Sequence, residues 1–219
     1  MEKRMTKAVW MLHAKKADFN GLAARFHISP ITARIIRNRD ITDIDEFNKY
    51  LNGSLKDLYE PRLLPDMEKA ISILKEKIAA GVRIRIVGDY DIDGVCSTCI
   101  LYKGLSRVGA SVDYVIPERI KDGYGINEHI IEKAAADGIH MILTCDNGIA
   151  AIDQIAEAKE LGMTVVITDH HDIQVDEVSE TEIMPSADAI VNPKRKDSKY
   201  PFSEICGAMV AYKIGRAHV

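Results

Sequence analysis

The sequence predicts an α/β fold: a doubly wound, mainly parallel sheet with helices on both faces, preceded by a small helical N-terminal region. Two observations carry that expectation. From Met67 onward, the short apolar runs RIRIV, SVDYVI, HMILTC and TVVIT alternate with helical patterns, and strands separated by helices of about ten to fifteen residues build βαβ units. The strand runs are close to continuously apolar, as befits strands covered on both faces. The chain also has the means to bury a core, with 219 residues of which 47% are apolar.

Residues 1–65 read as the helical region and its linker. FNGLAARFHISPITARIIRNRDIT has apolar residues at helical spacing, and Ser29-Pro30 can cap and start a second helix. The pair has the outline of a helix-turn-helix with Arg34, Arg37 and Arg39 as phosphate contacts. Its turn lacks a glycine, so a plain helical head with solvated arginines is the simpler reading. Pro61 and Pro65 mark an irregular linker. The second domain is expected over residues 66–213: a helix from about Met67 to Ala80, strand RIRIV, helix VCSTCILYKGLSRVG and strand SVDYVI. Helix NEHIIEKAAADG, strand HMILTC, helix AIDQIAEAKELG, strand TVVIT and the apolar run DAIVN follow.

The net charge of −4 is unevenly placed: Met1 to Pro65 holds 12 Lys and Arg against 8 Asp and Glu, and the rest holds 17 against 25. An acidic body meets a polyanionic substrate only if bound cations reverse its local field. No apolar run approaches the roughly 18 residues that span a bilayer, and MEKRMTKAVW lacks the apolar core of a secretion signal. A cytoplasmic protein with no membrane partner is expected. Cys96, Cys99, Cys145 and Cys206 sit in apolar text and suggest reduced, structural thiols, the C-x-x-C of Cys96 and Cys99 serving helix packing.

In doubly wound sheets, ligands gather beyond the carboxyl ends of the strands. After RIRIVG come Asp89, Asp91 and Asp93; after HMILTC come Asp146, Asn147 and Gly148; after TVVIT come Asp169, His170, His171 and Asp172. Asp89, Asp91, Asp93 and Gly94 spell the first half of an EF-hand loop, but Ile100 stands where that loop needs its bidentate Glu. The calcium-loop reading fails. A single Asp at a strand end is commonly a helix cap, whereas three strands delivering carboxylates and imidazoles to one edge make a site. Oxygen ligands mixed with neutral imidazole suit Mn²⁺ or Mg²⁺, with iron and zinc accepted less selectively. Two such ions roughly 4 Å apart deprotonate a water and stabilise both oxygens of an in-line displacement at phosphorus, so phosphoester hydrolysis is the expected chemistry. Histidine ligands release metal as they protonate near about pH 6.5, so activity should fall in mild acid.

The motifs VGDYDIDG, TCDNGIA and TDHHD resemble those of the DHH phosphoesterase superfamily. The surrounding IPERIKDGYGIN, IVNPKR and EICGAMVAYK are similar to the RecJ-type single-stranded-DNA-specific exonucleases within it. The resemblance implies metal-dependent hydrolysis of single-stranded DNA from the 5′ end, in DNA recombination and repair, with two Mn²⁺ or Mg²⁺ ions. By position it implies that Asp91 and Asp93 each bind one ion, that Asp146 bridges them and that His170 is an imidazole ligand. Asp89 is either a further ligand or a brace for one. His171 would face the scissile phosphate and Asp169 would orient a histidine. Arg119, Lys121 and Tyr124, in the loop after SVDYVI, would contact the DNA backbone or stack on bases, with Lys194 and Arg195 near the strand.

The family carries a further metal-binding Asp and a second domain downstream, and KIGRAHV ends the chain inside a helical pattern. A truncated, inactive N-terminal part is therefore expected, with Ile205, Met209, Val210 and Tyr212 poorly covered. Residues 214–219 are expected to be a non-native tail, since IGRAHV can be encoded by adapter-like codons. Two alternatives stand beside the main reading: a DHH phosphodiesterase of short oligonucleotides or cyclic dinucleotides, and a DNA-binding regulator built on the helical head.

Overall fold

A computed structural model describes residues 15–118, 123 and 125–218. The chain divides into two compact units at Leu58/Tyr59. In the first, helices α1 (Phe19–Phe26), α2 (Pro30–Asn38) and α3 (Ile44–Asn52) each begin on a side-chain cap, from Asp18, Ser29 and Asp43. Their apolar faces meet at Ala33, Ile36 and Phe47, with Phe26 stacked on Phe47 at 4.7 Å between centroids. Of the arginines in the helix-turn-helix reading, Arg34 lies 4.7 Å over the Phe19 ring and Arg39 reaches the Ile35 carbonyl of its own helix.

The second unit is the α/β domain. Its elements are α4 (Met67–Ala79), β1 (Arg83–Val87), α5 (Ile92–Arg107), β2 (Ser111–Val115), α6 (Glu128–Ala136), β3 (Met141–Cys145), α7 (Ile152–Glu160) and β4 (Thr164–Thr168). A two-residue hairpin pair β5 (Gln174–Val175) and β6 (Glu182–Ile183), β7 (Ala189–Val191) and α8 (Gly207–His218) complete it. The main sheet runs β2-β1-β3-β4-β7 with every pairing parallel.

Alternation along each strand splits the core in two. Ile84, Ile86, Met141, Leu143 and Val166 pack under α4, α5 and α8, while Val87, Ile142, Val165 and Ile167 pack under α6 and α7. These side chains are essentially inaccessible, and each contributes about 1.5–3 kcal/mol of transfer free energy on burial. Both faces are covered, which is why the strands read as unbroken apolar runs.

The strands also end level. Val87 is in register with Thr144, Cys145 with Thr168, and Thr168 with Val191. The residues just past each run, Asp89, Asp146, Asp169 and Asn192, therefore emerge along one edge. The chain leaves β1 to one side for β2 and returns to the other side for β3, so the order reverses between β1 and β3, and a crevice opens there.

Three expectations are corrected. Cys96, Cys99 and Cys206 are exposed and only Cys145 is buried, so the C-x-x-C does not pack a helix. The buried face of α5 instead carries Gly94, Ser97, Thr98, Leu101 and Leu105. Ile205 and Val210 are buried rather than poorly covered, because α8 lies against the sheet with Lys213 donating to the Tyr59 carbonyl. The Arg195 side chain, expected near the DNA strand, is only 11% exposed. Its guanidinium is held by Asp66, Asp197 and the Ile190 carbonyl, tying β7 to the start of α4.

Candidate metal centre

Beyond β1 the chain bends at Tyr90 and Asp91 and enters α5 at Ile92. Asp91 caps that helix, its carboxylate accepting from the Gly94 N–H at 2.9 Å. Asp89 is 1% exposed; Oδ2 meets the Asp91 N–H at 3.5 Å, and among the described residues Oδ1 has no partner. Gly94 is required by proximity, since a Cβ there would lie 2.5 Å from the Asp89 carbonyl oxygen. Asp93, one residue earlier in the same turn, accepts from Gly207 N (2.6 Å) and Ala208 N (2.7 Å) at the start of α8.

Asp146 follows β3 in the left-handed region, at φ 62°, and is 2% exposed. Burial raises its carboxyl above the ordinary carboxylate range, against the pull of His170. The His170 Nε2 stands 3.0 Å from Asp146 Oδ1 and 3.4 Å from Asp93 Oδ2. Its hydrogen bond to Asp146 raises the imidazole above its usual value.

Asp169 is fully buried and acts as an anchor. Oδ1 accepts from the His170 and His171 N–H groups and sits 2.7 Å from His171 Nδ1, while Oδ2 accepts from Ile149 N at 2.9 Å. Burial pushes its carboxyl up, but the bonds from His171 and the backbone outweigh this and hold it below the usual range. The same bond raises His171. Asn192, also fully buried, donates to the His171 carbonyl at 3.0 Å. A cleft of about 400 Å³ lies alongside, bordered by Asn147, Ile149, Asp169, His171 and Asp172.

Two sets of donors come together with ligand atoms within 4.8 Å of one another: Asp89, Asp91 and Asp146, and Asp146, His170 and His171. Asp146 belongs to both. Asp93 is in neither set but stands beside His170 with its oxygens directed at α8. Each carboxylate oxygen has a second lone pair, so capping α8 leaves Asp93 able to ligate. The buried orphan oxygen of Asp89 and the mixture of carboxylate and imidazole fit a hard divalent cation such as Mn²⁺ or Mg²⁺.

Arg119, Lys121 and Tyr124 lie outside the described residues. Lys194 is engaged at 2.9 Å by Asp172. Sequence reasoning missed Gly207, whose absent side chain lets α8 approach Asp146, and Asn192 as the brace of His171. The only sequence signal for either was its place in the family-like text EICGAMVAYK and IVNPKR.

An acidic crevice at the switch point of a parallel sheet, closed by an Asp-His-His turn, defines the class, and the chain belongs to the DHH family: residues 83–218 match the DHH family, N-terminal domain. Within that class it is 35% identical over 213 residues to the single-stranded-DNA-specific exonuclease RecJ of Bacillus subtilis (strain 168), covering 97% of this chain and 26% of that protein. The chain thus spans about a quarter of that relative's length. A solved structure of exonuclease RecJ bound to manganese superposes with a TM-score of 0.61 at 32% identity, covering 71% of this chain and 37% of that one. RecJ in complex with Mn²⁺ from Thermus thermophilus gives a TM-score of 0.64 at 26% identity, covering 91% and 26%.

Proposed function

We propose that this chain carries the metal-binding half of the active site of a RecJ-type exonuclease, which removes nucleotides from the 5′ end of single-stranded DNA in cytoplasmic recombination and repair. The observation that carries the reading is Asp146, a buried carboxylate common to two donor sets, one joining the ends of β1 and β3 and the other the ends of β3 and β4. The RecJ relatives and the manganese-bound RecJ structure support it.

Asp89, Asp91 and Asp146 would hold one ion, and Asp146, Asp93 and His170 the other. Bound divalent ions supply a deprotonated water and charge stabilisation at a phosphodiester. Asp169, fixed by the Ile149 N–H, holds His171 by Nδ1 and so sets the orientation in which its ring meets the scissile phosphate. Asn192 fixes the peptide behind that ring.

A chimera joining residues 1–213 to the remainder of the B. subtilis relative tests the reading. It should release nucleotides from 5′-labelled single strands in Mn²⁺, with loss on chelation and in Asp146→Ala. A folded, manganese-binding chimera that leaves long single strands intact, or that degrades only dinucleotides, would contradict it.

A further inference from the structure

Gly207 is the first residue of α8 and lies far from the strand-end motifs in sequence, yet it touches both inner carboxylates. Its N–H donates to Asp93 Oδ2 at 2.6 Å, and that of Ala208 donates to Asp93 Oδ1 at 2.7 Å. The two bonds fasten both carboxylate oxygens and so fix the rotation of the group, leaving Oδ2 3.4 Å from His170 Nε2. On its other side the residue has no room: a Cβ would lie 2.7 Å from Asp146 Oδ1, 2.9 Å from its Cβ and 3.0 Å from its Cγ. Real Cβ contacts are essentially never under 3.0 Å, and here the obstacle is a short, fully buried side chain held by His170 rather than the far end of a flexible one.

We propose that Gly207 is a positioning residue of the metal centre. Its peptide N–H orients Asp93, and its missing side chain lets that peptide lie directly against Asp146, so that the two carboxylates and His170 converge on one ion. The inference rests on the two-ion reading above. It assigns α8 a part in the site although none of its described side chains joins a donor set, and it makes the ion beside Asp93 the one that depends on this helix.

The test is Mn²⁺ titration of the 219-residue chain and of Gly207→Ala, followed by calorimetry, with melting of the metal-free proteins alongside. Displacing a group that braces a ligand costs about 10–100-fold in metal affinity, and Gly207→Ala should lose that much at the Asp93 position while Mn²⁺ at Asp89 and Asp91 changes little. Gly104→Ala is the control: Gly104 is a helical glycine of α5 with nothing within 4 Å of where the added methyl would lie, and the variant should bind as the unaltered chain does. Should Gly207→Ala fail to fold, the amide resonances of the unaltered chain decide: the Gly207 and Ala208 N–H signals should move on Asp93→Asn, and their indifference would overturn the proposal. Equal Mn²⁺ binding by folded Gly207→Ala and the unaltered chain would likewise overturn it and leave the two-ion reading standing. No Mn²⁺ binding by the unaltered chain would overturn both.

Discussion

Strand β1 carries charge at two places, within its length and just past its end, and the two are built on opposite rules. Arg85, with its side chain 10% exposed, is matched on the spot: Asp113 grips it by two bonds of 2.8 Å and Asp137 by one of 2.9 Å. Those bonds, and above all the two to Asp113, raise the guanidinium further above its already high value. Past the end of the same strand, Asp89, Asp91 and Asp93 gather against Asp146 with no Lys or Arg contact between them among the described ion pairs, and a buried oxygen of Asp89 has no donor there. The first cluster is complete in itself and holds a fold together. The second gathers carboxylates around a buried oxygen that has no donor among the described residues, the arrangement that the proposed reading fills with a divalent cation.

Breaking each cluster should therefore have opposite consequences. In the chimera, Asp93→Ala or Asp146→Ala should reduce cleavage to background; the metal-free melting temperature should be unchanged or raised in Asp146→Ala, where repulsion is relieved, and modestly lowered in Asp93→Ala, which loses the two N–H bonds that cap α8. Arg85→Met should do the reverse. It leaves two carboxylates without their cation, but these are 40% and 39% exposed and water recovers part of the loss, so about 1–3 kcal/mol of stability should disappear with manganese affinity intact. Cleavage assays beside thermal melts of the same preparations would show whether the two signatures separate.

The neighbouring histidines sharpen the contrast within the site. His170 faces Asp146 and Asp93, whereas His171 is held from behind by Asp169. His170→Ala should weaken Mn²⁺ binding more than His171→Ala does, and titration of both variants checks it; equal losses would make both rings ligands, as the grouping of His171 with Asp146 and His170 allows.

The smallest effect belongs to the self-neutralised type of charge. Burial pushes the Asp188 carboxyl up, but Lys159 at 2.6 Å and the Val165 N–H outweigh it and hold it below the ordinary range. A lowered carboxyl contributes stability that is fully present above the ordinary value of about 3.9 and is lost as pH falls through the lowered one. The stability gap between the unaltered chain and Asp188→Asn should thus be constant at about pH 5 to 7 and shrink below about pH 4, which denaturation at several pH values would reveal.

The contrast also explains how far the sequence could be read. The strands were legible because burial on both faces leaves no polar alternation to misread, and Asp89, Asp146 and Asp169 were legible because a parallel sheet with level ends converts sequence position directly into place. Contacts that join distant segments were not. Asp93 meets Gly207 across 114 positions, and Asn192 meets His171 from another strand. The face of α5 was misjudged for a related reason. The C-x-x-C text suggests Cys96 and Cys99 as packing residues, but the helix turns Gly94, Ser97 and Thr98 inward and leaves both cysteines exposed, Gly94 because a Cβ there would meet the Asp89 backbone. The β5–β6 hairpin, with two residues per strand, is too short to leave a periodicity.

Whether Asp146 is shared by two ions can be read from Mn²⁺ stoichiometry in single-carboxylate variants. Asp91→Ala should remove one ion and leave the one beside Asp93 and His170, whereas Asp146→Ala should remove both. One ion retained by Asp146→Ala at the affinity of the unaltered chain would contradict the account.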